Sequence, residues 1–216
     1  MFTLTYVMEP RNFKLKGAVA VFAAVSCGAL AAISPAIAQS AADADAEVAV
    51  PETTELDRDA EEALLLNRLA AADPAEALRV DRELQALWRK SGSAAMDLLF
   101  SRAREALEEE DLRAAIEHLT ALTDHAPDFA EGWHARATAY YRADLYGPAV
   151  ADLERALALN PNNYRAIYGL GTILETFGDE QRAYEAYLRA QAIHPHFEDV
   201  GEALERLGPD VAGTSL

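Results

Sequence analysis

A proline recurs at positions 127, 161 and 195, in DHAPDF, LNPNNY and AIHPHF, each 34 residues from the next. Proline has no backbone N–H and its ring clashes with the preceding helical turn, so it punctuates a helical chain and suits a loop or a first turn. A fixed period of this size restricts the chain to a repeat array, in which each unit is one supersecondary element that cannot bury its apolar face alone.

Other positions recur with the prolines. Segment 130–163 carries Trp133, Ala137 and Tyr140 in its first half, then Ala149, Leu153 and Ala156. Segment 164–197 carries Ile167, Leu170, Gly171 and Leu174, then Ala183, Tyr187 and Ala190. Segment 96–129 carries Leu99, Ala103 and Ala106, then Ala115, Leu119 and Leu122. Within each half the spacing is three or four, which puts these residues on one helical face. The pattern predicts antiparallel helical hairpins. Small residues (Ala137 against Ala149, Gly171 against Ala183) allow close approach, and Trp133, Tyr140, Leu153 and Tyr187 fill the surrounding space. Each large side chain so buried contributes roughly 1.5–3 kcal/mol before entropy is counted.

This pattern resembles the tetratricopeptide repeat (TPR), with its Trp-x-x-Leu-Gly-x-x-Tyr first helix, Ala-x-x-x-Phe-x-x-Ala second helix and closing Pro. The resemblance covers Met96 to Phe197, as three repeats at 96–129, 130–163 and 164–197. It departs at Arg136 and Arg102, where the family has Leu, and at Glu110 and Asp144, which replace the turn glycine kept at Gly178. The fold it implies is an all-α TPR solenoid of stacked antiparallel hairpins.

Flanking elements follow from local signals. Asp73-Pro74-Ala75-Glu76 supplies an N-cap, a Pro at the first helical position and a Glu that can bond back. The helix it opens runs to about Lys90, with Ala77, Val80, Leu84, Leu87 and Trp88 on one face. It follows a helix over 56–72 with Leu64, Leu65 and Leu69 inward. Residues 56–93 thus predict a hairpin ahead of the array, a divergent N-terminal helical cap. At the other end, 198–208 predicts a C-terminal capping helix edged by Val200, Leu204 and Leu207, and 209–216 a disordered tail.

Residues 1–38 read as a secretory signal peptide: Arg11, Lys14 and Lys16, an apolar run from Gly17 to Ile33, and Ala36-Ile37-Ala38 before a cleavage point that leaves Gln39 first. Met8 would give a shorter basic region than Met1. A competing reading makes Cys27 the lipidated residue of a lipoprotein. Against it, Ala24 stands where Leu is preferred and the apolar run continues past Cys27. Residues 39–55, rich in Ala and acids, predict a disordered acidic linker. The expected location is the periplasm, with no stable membrane anchor after cleavage. The formal charge of −17 becomes more negative without the leader and repels nucleic acid.

Chemistry is not signalled. H-E-x-x-H, G-x-S-x-G, a P-loop and a dinucleotide-binding glycine turn are all missing from the sequence. His194 and His196 flank Pro195 without a third metal ligand nearby and read as surface turn residues. Glu108-Glu109-Glu110-Asp111 lacks the alternating oxygens and central Gly of a calcium loop. No catalytic residue, metal, cofactor or small-molecule substrate is expected, and the chain is not expected to be an enzyme.

A surface remains. Turning 100° per residue from Trp133, a strip of the first helix lies beside the packing face. In TPR proteins that strip lines a concave groove. Carried over by the resemblance, it comprises Phe100 and Arg104; Glu131, His134, Thr138, Tyr141 and Arg142; and Arg165, Tyr168, Thr172 and Glu175. Its arginines and aromatics suit an extended or helical peptide of acidic character. The Lys, Asn, Asn, Lys, Arg set by which one TPR subclass clamps chaperone tails is not present at these positions. The expectation is a protein-binding or peptide-binding adaptor, with a self-associating structural component of the envelope, or a lipidated envelope-assembly TPR lipoprotein, as the alternative.

Overall fold

Local chain chemistry sets each helix boundary in the computed structural model, which describes residues 55–213. Nine helices and no strand occur among the described residues. They are α1 (Glu55–Ala71), α2 (Pro74–Trp88), α3 (Ala94–Glu108), α4 (Leu112–His125), α5 (Ala130–Arg142), α6 (Tyr146–Leu159), α7 (Tyr164–Thr176), α8 (Glu180–Ile193) and α9 (Glu198–Gly213). The leader, the cleavage point, Cys27 and most of the acidic linker lie outside the described residues.

Asp73 caps α2 by accepting from the backbone N–H groups of Ala75 and Glu76, both at 2.9 Å. Asp111, Asn163 and Asp179 cap α4, α7 and α8 in the same way. Each satisfies a helix-end donor that has no intrahelical partner. Between repeats, Ala126, Asn160 and His194 precede the three prolines with φ near −130° and positive ψ, the extended state that a following Pro imposes.

Within repeats, the turn joining paired helices needs a residue with positive φ. Gly178 takes it freely at 77°, while Glu110 at 63° and Asp144 at 59° are forced into it. The 6→1 bonds Asp111 N–H to Ala106 O (2.9 Å), Leu145 N–H to Tyr140 O (2.8 Å) and Asp179 N–H to Leu174 O (2.9 Å) close the same C-terminal motif three times. The hairpins α3–α4, α5–α6 and α7–α8 follow. Ala103, Ala115, Ala137, Ala149 and Ala183 are all buried at their contacts. Gly171 approaches Tyr187 more tightly than Ala183, since a Cβ on it would stand 2.6 Å from the Tyr187 ring.

Arg136 departs from the family residue and is nevertheless packed. Its guanidinium donates to both Asp152 oxygens (2.7 and 2.9 Å) and to Thr123 Oγ1 (2.8 Å), and lies over the Trp133 ring at 4.8 Å. An ion pair thus joins α5 to α6 where an apolar residue is usual.

The N-terminal hairpin forms, but it does not stack ahead of the first repeat. It lies along the edge formed by the inter-repeat turns. Asp59 and Glu62 of α1 face hollows shared with the turns at 125–130 and 159–162, and His196 Nε2 sits 3.0 Å from Ala72 O. Val80, Leu84, Leu87 and Trp88 share one core with Tyr164, Ile167, Tyr187, Val200 and Leu207, which belong to α7, α8 and α9. Polar pairing fixes the register: Gln85 Nε2 donates to Tyr164 Oη (3.1 Å), the Tyr164 hydroxyl donates to Asp81, and Arg165 Nη2 donates to both Asp81 oxygens (3.0 and 3.2 Å). Burial and the Asp81 bond push the Tyr164 phenol well above its ordinary pKa, so it stays a donor.

Three local expectations are corrected. Leu64 is 60% exposed, because Leu65 and Leu69 define the inward edge of α1 and Leu64 falls about 100° from it. His194 is buried against Tyr164 and Phe197 rather than exposed at the turn, because the hairpin covers that edge. The last helix does not stop at Gly208 before a disordered tail. It continues through Pro209 to Gly213. The bond lost at Pro209 would have gone to the carbonyl of Glu205, an exposed residue whose carbonyl can turn to water.

Candidate peptide-binding groove

The first helices of the three hairpins, α3, α5 and α7, present successive faces to a set of connected hollows. One, of about 310 Å³, lies between α5 and α7 and is closed at one end by Phe197 and Asp199. It takes in His134, Thr138, Tyr141, Arg165, Tyr168 and Thr172 from the expected strip. Its floor is Ala137, Leu153 and Ile173. A second, of about 170 Å³, lies between α3 and α5 and takes in Phe100, Arg104, Glu131, His134, Thr138 and Arg165. A third, lined by Arg104, Leu107, Glu108, Thr138 and Arg142, continues toward the end of α3. Shared walls make these one groove: His134, Thr138 and Arg165 border the first two hollows, and Arg104 and Thr138 the last two.

Three strip residues differ in role from expectation. Phe100 is 5% exposed, not an exposed aromatic; its ring packs edge-on against Phe129 at 5.4 Å, because the inter-repeat turn brings an aromatic beside it. Glu131 is buried. Asn163 Nδ2 donates to one of its oxygens at 3.1 Å, and His134 Nδ1 lies 3.3 Å from the other. Burial opposes the charge on Glu131, yet His134, Arg89 and Asn163 outweigh it and hold its pKa below the ordinary carboxylate value. Glu175 is taken up by the cap helix. Arg206 of α9 donates to both its oxygens at 2.9 Å, and the Tyr187 hydroxyl donates to it at 2.8 Å.

The other polar groups are oriented by neighbours. Thr138 and Thr172 donate to the carbonyls of His134 and Tyr168, which fixes the direction of their hydroxyl hydrogens. Arg142 donates to Leu107 O at 2.7 Å and ties α5 to the end of α3. Arg104 lies 3.6 Å from exposed Glu108, and Arg165 is held by Asp81.

Sequence reasoning missed Gln85 and Arg89, which α2 places in the wall of the second hollow. Neither belongs to a repeat, so the 34-residue offset could not find them. Among the described residues no group of three or more His, Cys, Asp or Glu is placed to hold a metal ion, and no helix is long and apolar enough to cross a membrane.

Known proteins match this arrangement. The family model of the tetratricopeptide repeat matches residues 130–163. A TPR repeat-containing protein of Rhizobium etli is 32% identical over 141 residues, which span 65% of this chain and 69% of that protein. The chain belongs to the tetratricopeptide repeat family. Among solved TPR structures, the first TPR domain of Spaghetti (RPAP3) bound to the HSP90 peptide SRMEEVD superposes with a TM-score of 0.52 at 21% identity, covering 54% of this chain and 93% of that one. MamA superposes with a TM-score of 0.51 at 21% identity, covering 74% of this chain and 83% of that one. At such identities these neighbours share the TPR fold.

Proposed function

We propose that this TPR protein is an exported adaptor without catalysis of its own, which holds an extended or helical peptide of a protein partner in the groove across α3, α5 and α7. The carrying observation is the continuity of the hollows, in which an apolar floor of Ala137, Leu153 and Ile173 adjoins walls bearing Arg104 and Arg165. Apolar anchoring beside charge-assisted bonds is how grooves of helical proteins take peptides. Binding of the HSP90 peptide by the first TPR domain of Spaghetti supports the class of ligand. The basic, apolar and A-x-A succession in residues 1–38 supports export to the periplasm.

Selection from a displayed random dodecapeptide library tests the groove directly. Peptides enriched on the purified chain should lose about tenfold or more in affinity for an Arg104→Ala, His134→Ala, Tyr168→Ala variant whose circular dichroism is unchanged. Equal binding by the folded variant would move the ligand to another face. Export is tested by N-terminal sequencing of the periplasmic protein from a Gram-negative host, where Gln39 is the expected first residue and an uncleaved cytosolic chain would refute it.

One observation favours self-association instead. At the intra-repeat turns Tyr141, Tyr146 and Phe177 form an edge-to-face ladder with ring centroids 5.7 and 5.4 Å apart, and Phe177 is 67% exposed. A size in solution that grows with concentration and is reset by Phe177→Ser would support that reading.

A further inference from the structure

Along the edge where α1 meets the inter-repeat turns, two hollows of about 560 and 290 Å³ share Asp59, Glu62, Leu159 and Asn160 and so form one trough. Of the groove strip, only Glu131 reaches it. Three helices end in the lining of the larger hollow: α2 at Trp88, α4 at His125 and α6 at Leu159. A helix C-terminus carries partial negative charge on its free carbonyls and favours a cation. One of these ends is answered from inside the chain, because Arg58 Nη2 donates to Leu87 O in the last turn of α2 at 3.5 Å. Carboxylates line the trough as well. Asp128 lies 3.7 Å from Arg155, while Glu131 accepts from Asn163 and faces His134. Asp59 and Glu62, one turn apart on α1, have no hydrogen-bond or ion-pair partner among the described residues. Trp88 has the opposite need. It is 4% exposed and lines the larger hollow, and its buried indole N–H has no acceptor, an omission that is costly for a buried donor.

We propose that this trough is a second binding site, which takes an extended peptide segment carrying one lysine or arginine. The cationic head lies at Asp59 and Glu62, and a backbone carbonyl of the segment accepts from Trp88. Charge balance sets the number of cations. With Arg58 set against one of the two free carboxylates, one negative charge is left to match, beside the ends of α4 and α6. A polyamine brings more charge than that and has no acceptor for the indole. Two connected hollows suit an extended chain better than a free amino acid, and the same carboxylates repel nucleic acid and anionic lipid. Since α1 and α2 supply Asp59, Glu62 and Trp88, the repeats alone do not build the site.

The indole Nε1–H resonances of the purified chain, from Trp88 and Trp133, report the test, with Trp133→Phe identifying that of Trp88. Titrants at constant ionic strength are acetyl-Ala-Ala-Lys-Ala-Ala-amide, its norleucine counterpart, free lysine and putrescine. The Lys peptide should move the Trp88 resonance downfield and saturably, with about tenfold higher affinity than the norleucine peptide. Asp59→Asn with Glu62→Gln should lower Lys-peptide affinity to that of the norleucine peptide and leave the latter unchanged. The comparison of the two peptides on the unaltered chain stands whatever the fold of that variant. Equal affinity for the two peptides, or an unchanged Lys-peptide affinity in a folded double variant, would overturn the site. So would a Lys peptide that shifts Tyr141 and Tyr168 but not Trp88. Free lysine or putrescine moving Trp88 as strongly as the peptide would overturn an extended segment as the occupant.

Discussion

Arg136 shows how one residue can replace a family consensus without loss of packing, provided that its partners change with it. Asp152, Thr123 and the Trp133 ring together absorb a charge at a position where Leu is usual. Restoring the consensus alone should therefore be harmful. Arg136→Leu leaves Asp152 6% exposed and unpaired, with an expected loss of about 3–5 kcal/mol in denaturant unfolding, and adding Asp152→Leu should recover much of it. Backbone strain gives the opposite case. Glu110 holds a φ of 63° for a turn that glycine takes freely, so Glu110→Gly should stabilise by about 0.5–1 kcal/mol, seen as a higher midpoint of thermal unfolding. His194 provides a pH dependence. Burial lowers its pKa from 6.5, so the folded state binds the proton less readily than the unfolded chain. Stability from this residue is unchanged well above 6.5 and falls as the pH drops through that value toward the folded pKa. His194→Phe should flatten that part of the stability profile.

At the level of elements, the repeat helices were legible because several signals agree. The prolines set extended residues at 126, 160 and 194, the alanines mark the close contacts, and Asp or Asn supplies caps. The hairpin's position was not legible. An apolar stripe on α2 states that a face is buried and does not say against what, and the contacts that decide it (Gln85 with Tyr164, Ala72 with His196) span most of the domain. Phe100 was misplaced for a related reason. The repeat offset equates it with His134 and Tyr168, whereas its actual neighbour, Phe129, lies in a turn that the offset does not describe. These contacts also make α2 a support for elements distant in sequence. Trp88→Ala should destabilise by about 3–5 kcal/mol, and amide exchange should quicken in α7 and α9 rather than in α3 and α4, which have a separate core.

For the whole described unit, an open solenoid would unfold as a series of weakly coupled neighbours, able to fray from either end. Here the first hairpin shares a core with the last repeat and its capping helix. Unfolding in urea should accordingly follow one transition by both circular dichroism and tryptophan fluorescence, since Trp88 lies in the N-terminal hairpin and Trp133 in the second repeat. Two separated transitions would show that the hairpin contributes no such coupling. The same clasp bears on growth by duplication. Repeat arrays ordinarily lengthen by inserting another unit, but a fourth hairpin between α6 and α7 would carry Tyr164 and His196 beyond the reach of α2 and Ala72. A clasp cut to three hairpins fixes the length of the ruler.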